Sequence, residues 1–223
     1  MDAAGRSRTA ATTTSDGDLA RLLASISAAQ AVSATRLAGL VGVPGPAPAS
    51  PVVPEPASPA SPSPSPSPSK PGAVATTAPG AQDSVPPAGL SAEDYRALVL
   101  GEDSARYALE VRAARAGGDE RTRLLALSRV HGERAEAWAV LGGVSGTEQD
   151  PRRVAYAIPR SDDDATLVRS LQDGLATSYA SLVGTTAAST RGVLVDLLVD
   201  AALTLDAWGA APVAFPGMPE LAS

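Results

Sequence analysis

Residues 91–118 read SAEDYRALVLGEDSARYALEVRAARAGG, and this stretch decides the fold. Ser91 and Asp94 have the spacing of a capping box, which satisfies free N–H groups where a helix starts. Apolar residues then recur every three or four positions, as on the buried face of a helix, until the glycine pair at 117–118 ends it. A second helix begins at Asp119 and runs to about residue 142. Because the connection is so short, the two helices are predicted to be antiparallel neighbours.

Two more helices follow the same logic. The third is predicted to start at the pair Ser161 and Asp164 and to end near Gly184, and the fourth to run from about Thr190 to Trp208. The connection between the second and third helices can extend by roughly 60 Å, whereas a helix of this length spans roughly 36 Å. The predicted fold class is therefore all-α, a ferritin-like up-down-down-up four-helix bundle with one long crossover.

The composition divides the chain unevenly. All the aromatic residues lie after position 90, and most prolines lie between positions 44 and 87. A stretch that is rich in proline and lacks aromatic side chains cannot bury enough apolar surface to offset its conformational entropy. We therefore predict a disordered tail over 1–15, an amphipathic helix over 16–41, a disordered Pro/Ser-rich linker over 42–89, and the bundle with a C-terminal strap over 90–223.

The N-terminal amphipathic helix has one apolar stripe and no partner helix of its own in the sequence. The predicted stripe contains Leu19, Leu22, Leu23, Ile26, Ala29, Leu37 and Leu40. Isolated helices of this length are marginal in water. Three outcomes stay open: the helix docks on the bundle, pairs with a copy of itself, or frays.

Charge and cysteine content exclude several function classes. The formal net charge is −6, and the chain has no cysteine. An acidic bundle without a basic stripe argues against nucleic-acid partners, and the missing thiols exclude disulfides and thiolate catalysis. No apolar run is long enough for a membrane span. The expected partner is an unknown protein or a second copy of the chain.

The start of the chain bears on localisation. The polar run TTTSDGD (12–18) stands where a signal peptide would have its apolar core. The sequence as written is therefore expected to be cytoplasmic. A true start further upstream, with a signal peptide, would place the protein in the cell envelope.

Four segments carry a resemblance to a known family. They are GEDSARYALEVRAARAGG (101–118), LLALSRVHGERAEAW (124–138), VAYAIP (154–159) and AWGAAPVAFPGMPE (207–220). The last is the most specific, and its structural motif contains Phe215, Pro216, Gly217, Pro219 and Glu220. With these segments the chain resembles the bacterial ferritin-like domain known as domain of unknown function 4439. The resemblance implies a fold and brings no established activity.

Polar side chains interrupt the apolar stripes of the first two bundle helices. Glu102 lies in the first stripe, and His131 and Arg134 lie in the second. One interpretation is a vestigial metal site, because ferritin-like centres take carboxylates and Glu-x-x-His motifs from four helices. The other is a buried ionic cluster that sets the register between helices.

The residues favour the second interpretation. Ser128 occupies the glutamate position of the motif that ends at His131, and the chain has no other histidine. Asp196 and Asp200 of the fourth helix are predicted to form a solvated edge. We therefore expect no catalytic residues, no metal and no cofactor. The sequence favours a non-catalytic helical binding or scaffold module; the alternative is a degenerate metal-binding ferritin-like enzyme or iron-handling protein.

Overall fold

The computed structural model describes residues 2–45, 51–56 and 86–221. Within these residues the chain forms six α-helices and no strand, which confirms the predicted all-α class. The helices are α1 (Ala3–Thr13), α2 (Gly17–Val41), α3 (Ala92–Ala113), α4 (Gly118–Leu141), α5 (Asp164–Thr185) and α6 (Gly192–Ala207), and a 3-10 helix (Pro219–Leu221) follows. Of the described helices, none is both long and apolar enough to cross a membrane.

Helix starts follow local capping chemistry. The capping box of α3 is present, with the Asp94 N–H donating to Ser91 Oγ over 3.2 Å and the Ser91 N–H donating to Asp94 Oδ2 over 2.7 Å. The predicted capping residue of α5 is wrong. Asp163 rather than Ser161 caps the helix, and its side chain accepts from the Thr166 N–H over 2.6 Å. An aspartate can cap a helix alone, without a reciprocal partner at the third position.

Helices α3 to α6 contact one another chiefly in two pairs, α3 with α4 and α5 with α6. Further contacts join α3 to α5. Arg112, near the end of α3, is paired with Asp164 at the start of α5, so these two helices run antiparallel. Arg123, near the start of α4, lies over the Trp208 ring just after α6, 4.2 Å from its centroid. Helices α4 and α6 therefore also run antiparallel.

The N-terminal residues differ from the predicted disordered tail. Residues 3–13 form α1, whose Ala11 is fully buried. Arg8 binds Asp196 of α6 through two hydrogen bonds of 2.6 and 2.7 Å, and Ser7 Oγ donates to Gln30 Oε1 over 2.9 Å. An eleven-residue helix is marginal alone, so it depends on these tertiary contacts, which sequence periodicity does not reveal.

Helix α2 docks on α5 and α6, and the predicted stripe is only half-buried at Leu22, Leu23, Ile26 and Ala29, with Leu23 packed against the main core. Leu19, Leu37 and Leu40 are 43, 61 and 84% exposed. The buried side chains are instead mostly small: Ala20, Ala24, Ser25, Ser27, Ala28, Val32 and Ala38. Small side chains let two helix backbones approach closely, so dispersion contacts along the backbone replace the burial of large leucines.

The closest approach of α2 is at its first residue. A Cβ atom added to Gly17 would lie 2.1 Å from the Gly184 carbonyl oxygen at the end of α5. Only glycine fits there, because a backbone oxygen cannot move aside as a flexible side chain can. This contact brings the start of α2 against the end of α5.

Parts of the predicted linker also have defined contacts. Val53 is 6% exposed and belongs to the main apolar core, so the described segment 51–56 differs from the predicted disorder. Nearer to α3, the Ala187 N–H donates to the Ala88 carbonyl over 2.8 Å. The rest of the predicted linker, 46–50 and 57–85, lies outside the described residues.

The glycine contact yields a stability prediction. Gly17→Ala is expected to lower the free energy of unfolding by about 1–3 kcal/mol, because its methyl group overpacks the contact with α5. Gly39→Ala is the matched control on the same helix, where an added Cβ meets nothing within 4 Å. It should raise stability by about 0.4–1 kcal/mol through helix propensity. Urea unfolding followed by circular dichroism measures both, and equal effects would contradict the packing.

Candidate functional site

Four buried polar side chains meet near the middle of α3, α4 and α5. Glu102 and His131 are fully buried, and Gln172 and Tyr179 are 2 and 1% exposed. His131 Nδ1 lies 2.5 Å from Glu102 Oε2, and the Tyr179 hydroxyl donates to Glu102 Oε1. His131 Nε2 lies 2.8 Å from Gln172 Nε2. We call these four residues the buried polar cluster.

Only two of the three sequence-predicted site residues belong to this cluster. Glu102 and His131 are in contact, but the guanidinium of Arg134 binds Asp200 of α6, with Nη2 2.7 Å from Oδ2. The prediction of a solvated edge for Asp196 and Asp200 is wrong, because both carboxylates hold arginines and are 12 and 26% exposed. A hydrogen-bonded contact between Glu102 and His131 and an ion pair between Arg134 and Asp200 therefore replace the single predicted triad.

Sequence reasoning missed the two contributions of α5. Val168, Gln172, Leu175 and Tyr179 follow one another at spacings of four, three and four, and all are buried. From the sequence, the inward stripe of this helix is predicted to contain Val168, Leu171, Leu175 and Leu182, and so neither Gln172 nor Tyr179. The available signal was that a glutamine and a tyrosine share the helix face of Val168 and Leu175.

The cluster's hydrogen bonds are mutually consistent. With Nδ1 protonated, His131 donates to the Glu102 carboxylate, and its Nε2 accepts from the Gln172 amide; the two partners thus select one tautomer. Burial, followed by the charge of Glu102, raises the pKa of Tyr179 well above its ordinary value. The phenol therefore stays protonated and remains a donor to Glu102.

Arg134 keeps its charge although it is buried. Burial alone would lower the pKa of its guanidinium, but the charges of Asp200 and Glu102 outweigh this effect, and the pKa lies above its ordinary value. A permanent positive charge thus stands beside the cluster. It would oppose the binding of a cation there.

The donor set does not fit a ferritin-like metal centre. Such a centre needs carboxylates from all four helices and two histidines. Ser128 replaces one glutamate, and its hydroxyl donates to the Arg106 carbonyl over 3.0 Å. Helix α5 supplies the amide of Gln172, and the Asp200 carboxylate is already paired with Arg134. In the described part of the chain, no three histidine, aspartate or glutamate side chains come together as a metal-binding group.

The C-terminal segment 210–221 packs back on α2 and α5. Pro216, Gly217 and Met218 are buried, whereas Phe215 is only partly buried. Ser25 Oγ donates to the Pro216 carbonyl over 2.8 Å, and Arg21 of α2 binds Glu220 over 2.7 Å. Within the predicted motif, the buried Pro216-Gly217 step is thus the main attachment point.

A cavity lies between this segment and the helices. Its volume is about 410 Å³, and its apolar wall includes Val32 of α2, Leu205 of α6 and Val213 of the C-terminal segment. Arg169 and Asp173 of α5 add charge to the lining. Arg169 Nη1 donates to the Trp208 carbonyl over 2.9 Å, so its guanidinium also caps the C-terminal end of α6. The volume lies within the range of small-molecule pockets.

The cluster yields a second stability prediction. Glu102→Ala should lower the free energy of unfolding by about 2–6 kcal/mol, because it leaves the donors of His131 and Tyr179 buried without an acceptor, at about 1–3 kcal/mol for each donor. The control is Glu110→Ala on the same helix, where the carboxylate is 58% exposed and pairs with Arg106. It should cost at most about 1 kcal/mol. Denaturant titration compares the two variants. A loss of stability for Glu102→Ala as small as that for Glu110→Ala would contradict the burial and hydrogen bonding of Glu102.

The C-terminal segment yields a third stability prediction. Gly217 has φ +74°, and an added Cβ would lie 2.5 Å from the Ala176 carbonyl oxygen. Gly143 has φ +68° with nothing within 4 Å of an added Cβ, so Gly143→Ala measures backbone strain alone. That strain costs about 1–2 kcal/mol, and Gly217→Ala should cost about 1–3 kcal/mol more. Identical melting temperatures for the two variants would contradict the packing of the segment on α5.

Comparison with known proteins agrees with the sequence resemblance. No curated protein and no solved structure matches the chain. The family described as domain of unknown function (DUF4439) matches residues 95–220. The match begins in α3 and ends at Glu220, so it includes the buried polar cluster and the segment that packs on α2 and α5. The chain therefore belongs to the DUF4439 family.

Proposed function

We propose that this protein is a non-catalytic helical binding module built on a ferritin-like bundle that lacks a di-iron centre. The observation that carries the proposal is that the polar atoms of the buried polar cluster bond to one another. Both carboxylate oxygens of Glu102 and both ring nitrogens of His131 are engaged by other side chains. A group that is fully buried and fully bonded is not available to a substrate.

The helix directions support the ferritin-like part of the proposal. Antiparallel pairing of α3 with α5 and of α4 with α6, together with the short turn between α3 and α4, corresponds to the order up-down-down-up. The residues between α4 and α5 then form the crossover. Tyr156 of this crossover donates its hydroxyl to Asp103 of α3 over 2.6 Å, which attaches the crossover to the bundle.

The surface supports a binding role. Besides the 410 Å³ cavity, a groove of about 620 Å³ follows the outer side of α4. Large apolar side chains also stay exposed at the end of α2, where Leu40 and Val41 are 84 and 64% exposed. Exposed apolar surface of this kind marks contact sites for a protein partner or a second copy.

The alternative is a degenerate metal-binding or iron-handling protein. One observation favours it: Glu102 and His131, both metal-ligand types, already touch across two helices. A metal would have to displace Tyr179 and Gln172 from the same atoms, beside the charge of Arg134. We therefore place this function second.

Iron loading distinguishes the two functions. The full chain is incubated with ferrous iron without oxygen and desalted, and bound iron is measured by elemental analysis. The proposal expects far less than one iron per chain, unchanged in a Glu102→Ala/His131→Ala variant. Glu110→Ala, with its exposed carboxylate, is the control for surface binding. About one iron or more per chain, lost only in the double variant, would overturn the proposal in favour of the alternative.

A further inference from the structure

Helix α4 has a second stripe of residues beside its inward one, and Ala137 of this stripe packs against the edge of the main apolar core. The inward stripe includes the buried residues Leu124, Ser128, His131, Ala135 and Trp138. The outer stripe has the same three-and-four spacing and consists of Arg129, Gly132, Glu133, Glu136, Ala137 and Val140. Three of these residues are charged, as on the solvent face of an amphipathic helix, but Gly132, Ala137 and Val140 form an uncharged strip between them. The second stripe therefore forms a separate contact surface, which we call the α4 groove.

Residues 53–56 of the chain line this groove opposite α4. Val53 is 6% exposed and Pro54 is buried. The neighbouring Val52 is 75% exposed. The segment thus inserts one valine and one proline, while the alternate valine points to solvent as in an extended chain.

The sequence of the segment explains why it suits a groove on a helix. PVVPEP (51–56) has prolines at 51, 54 and 56. Proline fixes φ and favours the polyproline II conformation, so an extended segment of this kind loses little conformational entropy when it docks. This is the chemistry by which proline-containing ligands bind apolar grooves in general.

The charges at the groove are largely balanced. Arg129 lies 3.7 Å from Glu133 on the same helix, and both are exposed. Glu136 is held by Arg152 and by Ser145 Oγ, the latter over 2.7 Å. These contacts lower the pKa of Glu136, the Ser145 hydrogen bond most and the Arg152 hydrogen bond next. The groove therefore favours an uncharged valine-proline segment over a charged one.

We propose that the α4 groove is a docking site for an extended, proline-containing apolar segment of another protein, and that residues 51–56 are its resident ligand in cis. This inference rests on the proposed function as a binding module and names the class of partner. The partner segment is inferred to resemble residues 51–56 in being extended, apolar and proline-containing.

The cis segment also controls access. Five residues, 46–50, separate it from Gly45 after α2. A tether this short keeps a ligand at an effective concentration on the order of millimolar. A partner therefore competes with the chain's own segment, and weakening that segment opens the groove.

A peptide-binding experiment tests this. The probe is a fluorescein-labelled peptide with the sequence ASPVVPEPAS (residues 49–58), added at micromolar concentration to the full chain, with fluorescence anisotropy as the readout. Val53→Asp should bind it at least about tenfold more tightly than the unmodified protein, because the competing cis segment is released. Val52→Asp is the matched control, since Val52 is exposed, and should bind like the unmodified protein. Val53→Ser serves as a second release variant should Val53→Asp fail to fold.

Two further binding measurements test whether the peptide binds at the α4 groove. Adding Ala137→Asp to the release variant should abolish binding, and a peptide carrying aspartate at the Val53 position should not bind. The proposal is overturned if the folded release variants bind no peptide, or if Val52→Asp binds it equally well. Its failure is distinct from that of the proposed function, which the iron measurement decides independently.

Discussion

The contact between Glu102 of α3 and His131 of α4, completed by Tyr179 and Gln172 of α5, is the constraint on which the rest of the bundle depends. These side chains are buried, and each needs the others to satisfy its hydrogen-bonding groups. A slip of one turn in any of the three helices would leave a carboxylate or an imidazole unpaired in the core, which is far more costly than losing an apolar contact. The cluster therefore sets the register of three helices at once, and Arg134 with Asp200 does the same between α4 and α6.

The same constraint bears on chemistry. The donor types around Glu102 and His131 do not fit a ferritin-like metal centre, because Ser128, Gln172 and Arg134 are present where further carboxylates and a second histidine would be needed. The cluster's polar atoms bond to one another instead. In this member of the DUF4439 family, the buried polar side chains therefore hold neighbouring helices in register.

Small residues determine how the N-terminal helices join this bundle. Helix α2 contacts α5 and α6 mostly through alanine and serine, and Gly17 meets the backbone of Gly184. Close backbone packing then leaves Leu19, Leu37 and Leu40 of α2 exposed. The chain thus covers one side of the bundle with α1 and α2 and leaves apolar surface free at the end of α2.

The sequence by itself determined the helical class, the capping box of α3, and the burial of Glu102 and His131, because capping and three-and-four spacing depend on residues close in the chain. It also identified the family through its C-terminal motif. The tertiary structure alone decided that residues 3–13 form a helix, that α2 buries alanines rather than leucines, that Arg134 pairs with Asp200, and that Val53 reaches α4. Each of these depends on how closely two distant surfaces approach. Local periodicity carries no information about that distance, since a small side chain contributes to packing only when another backbone lies against it.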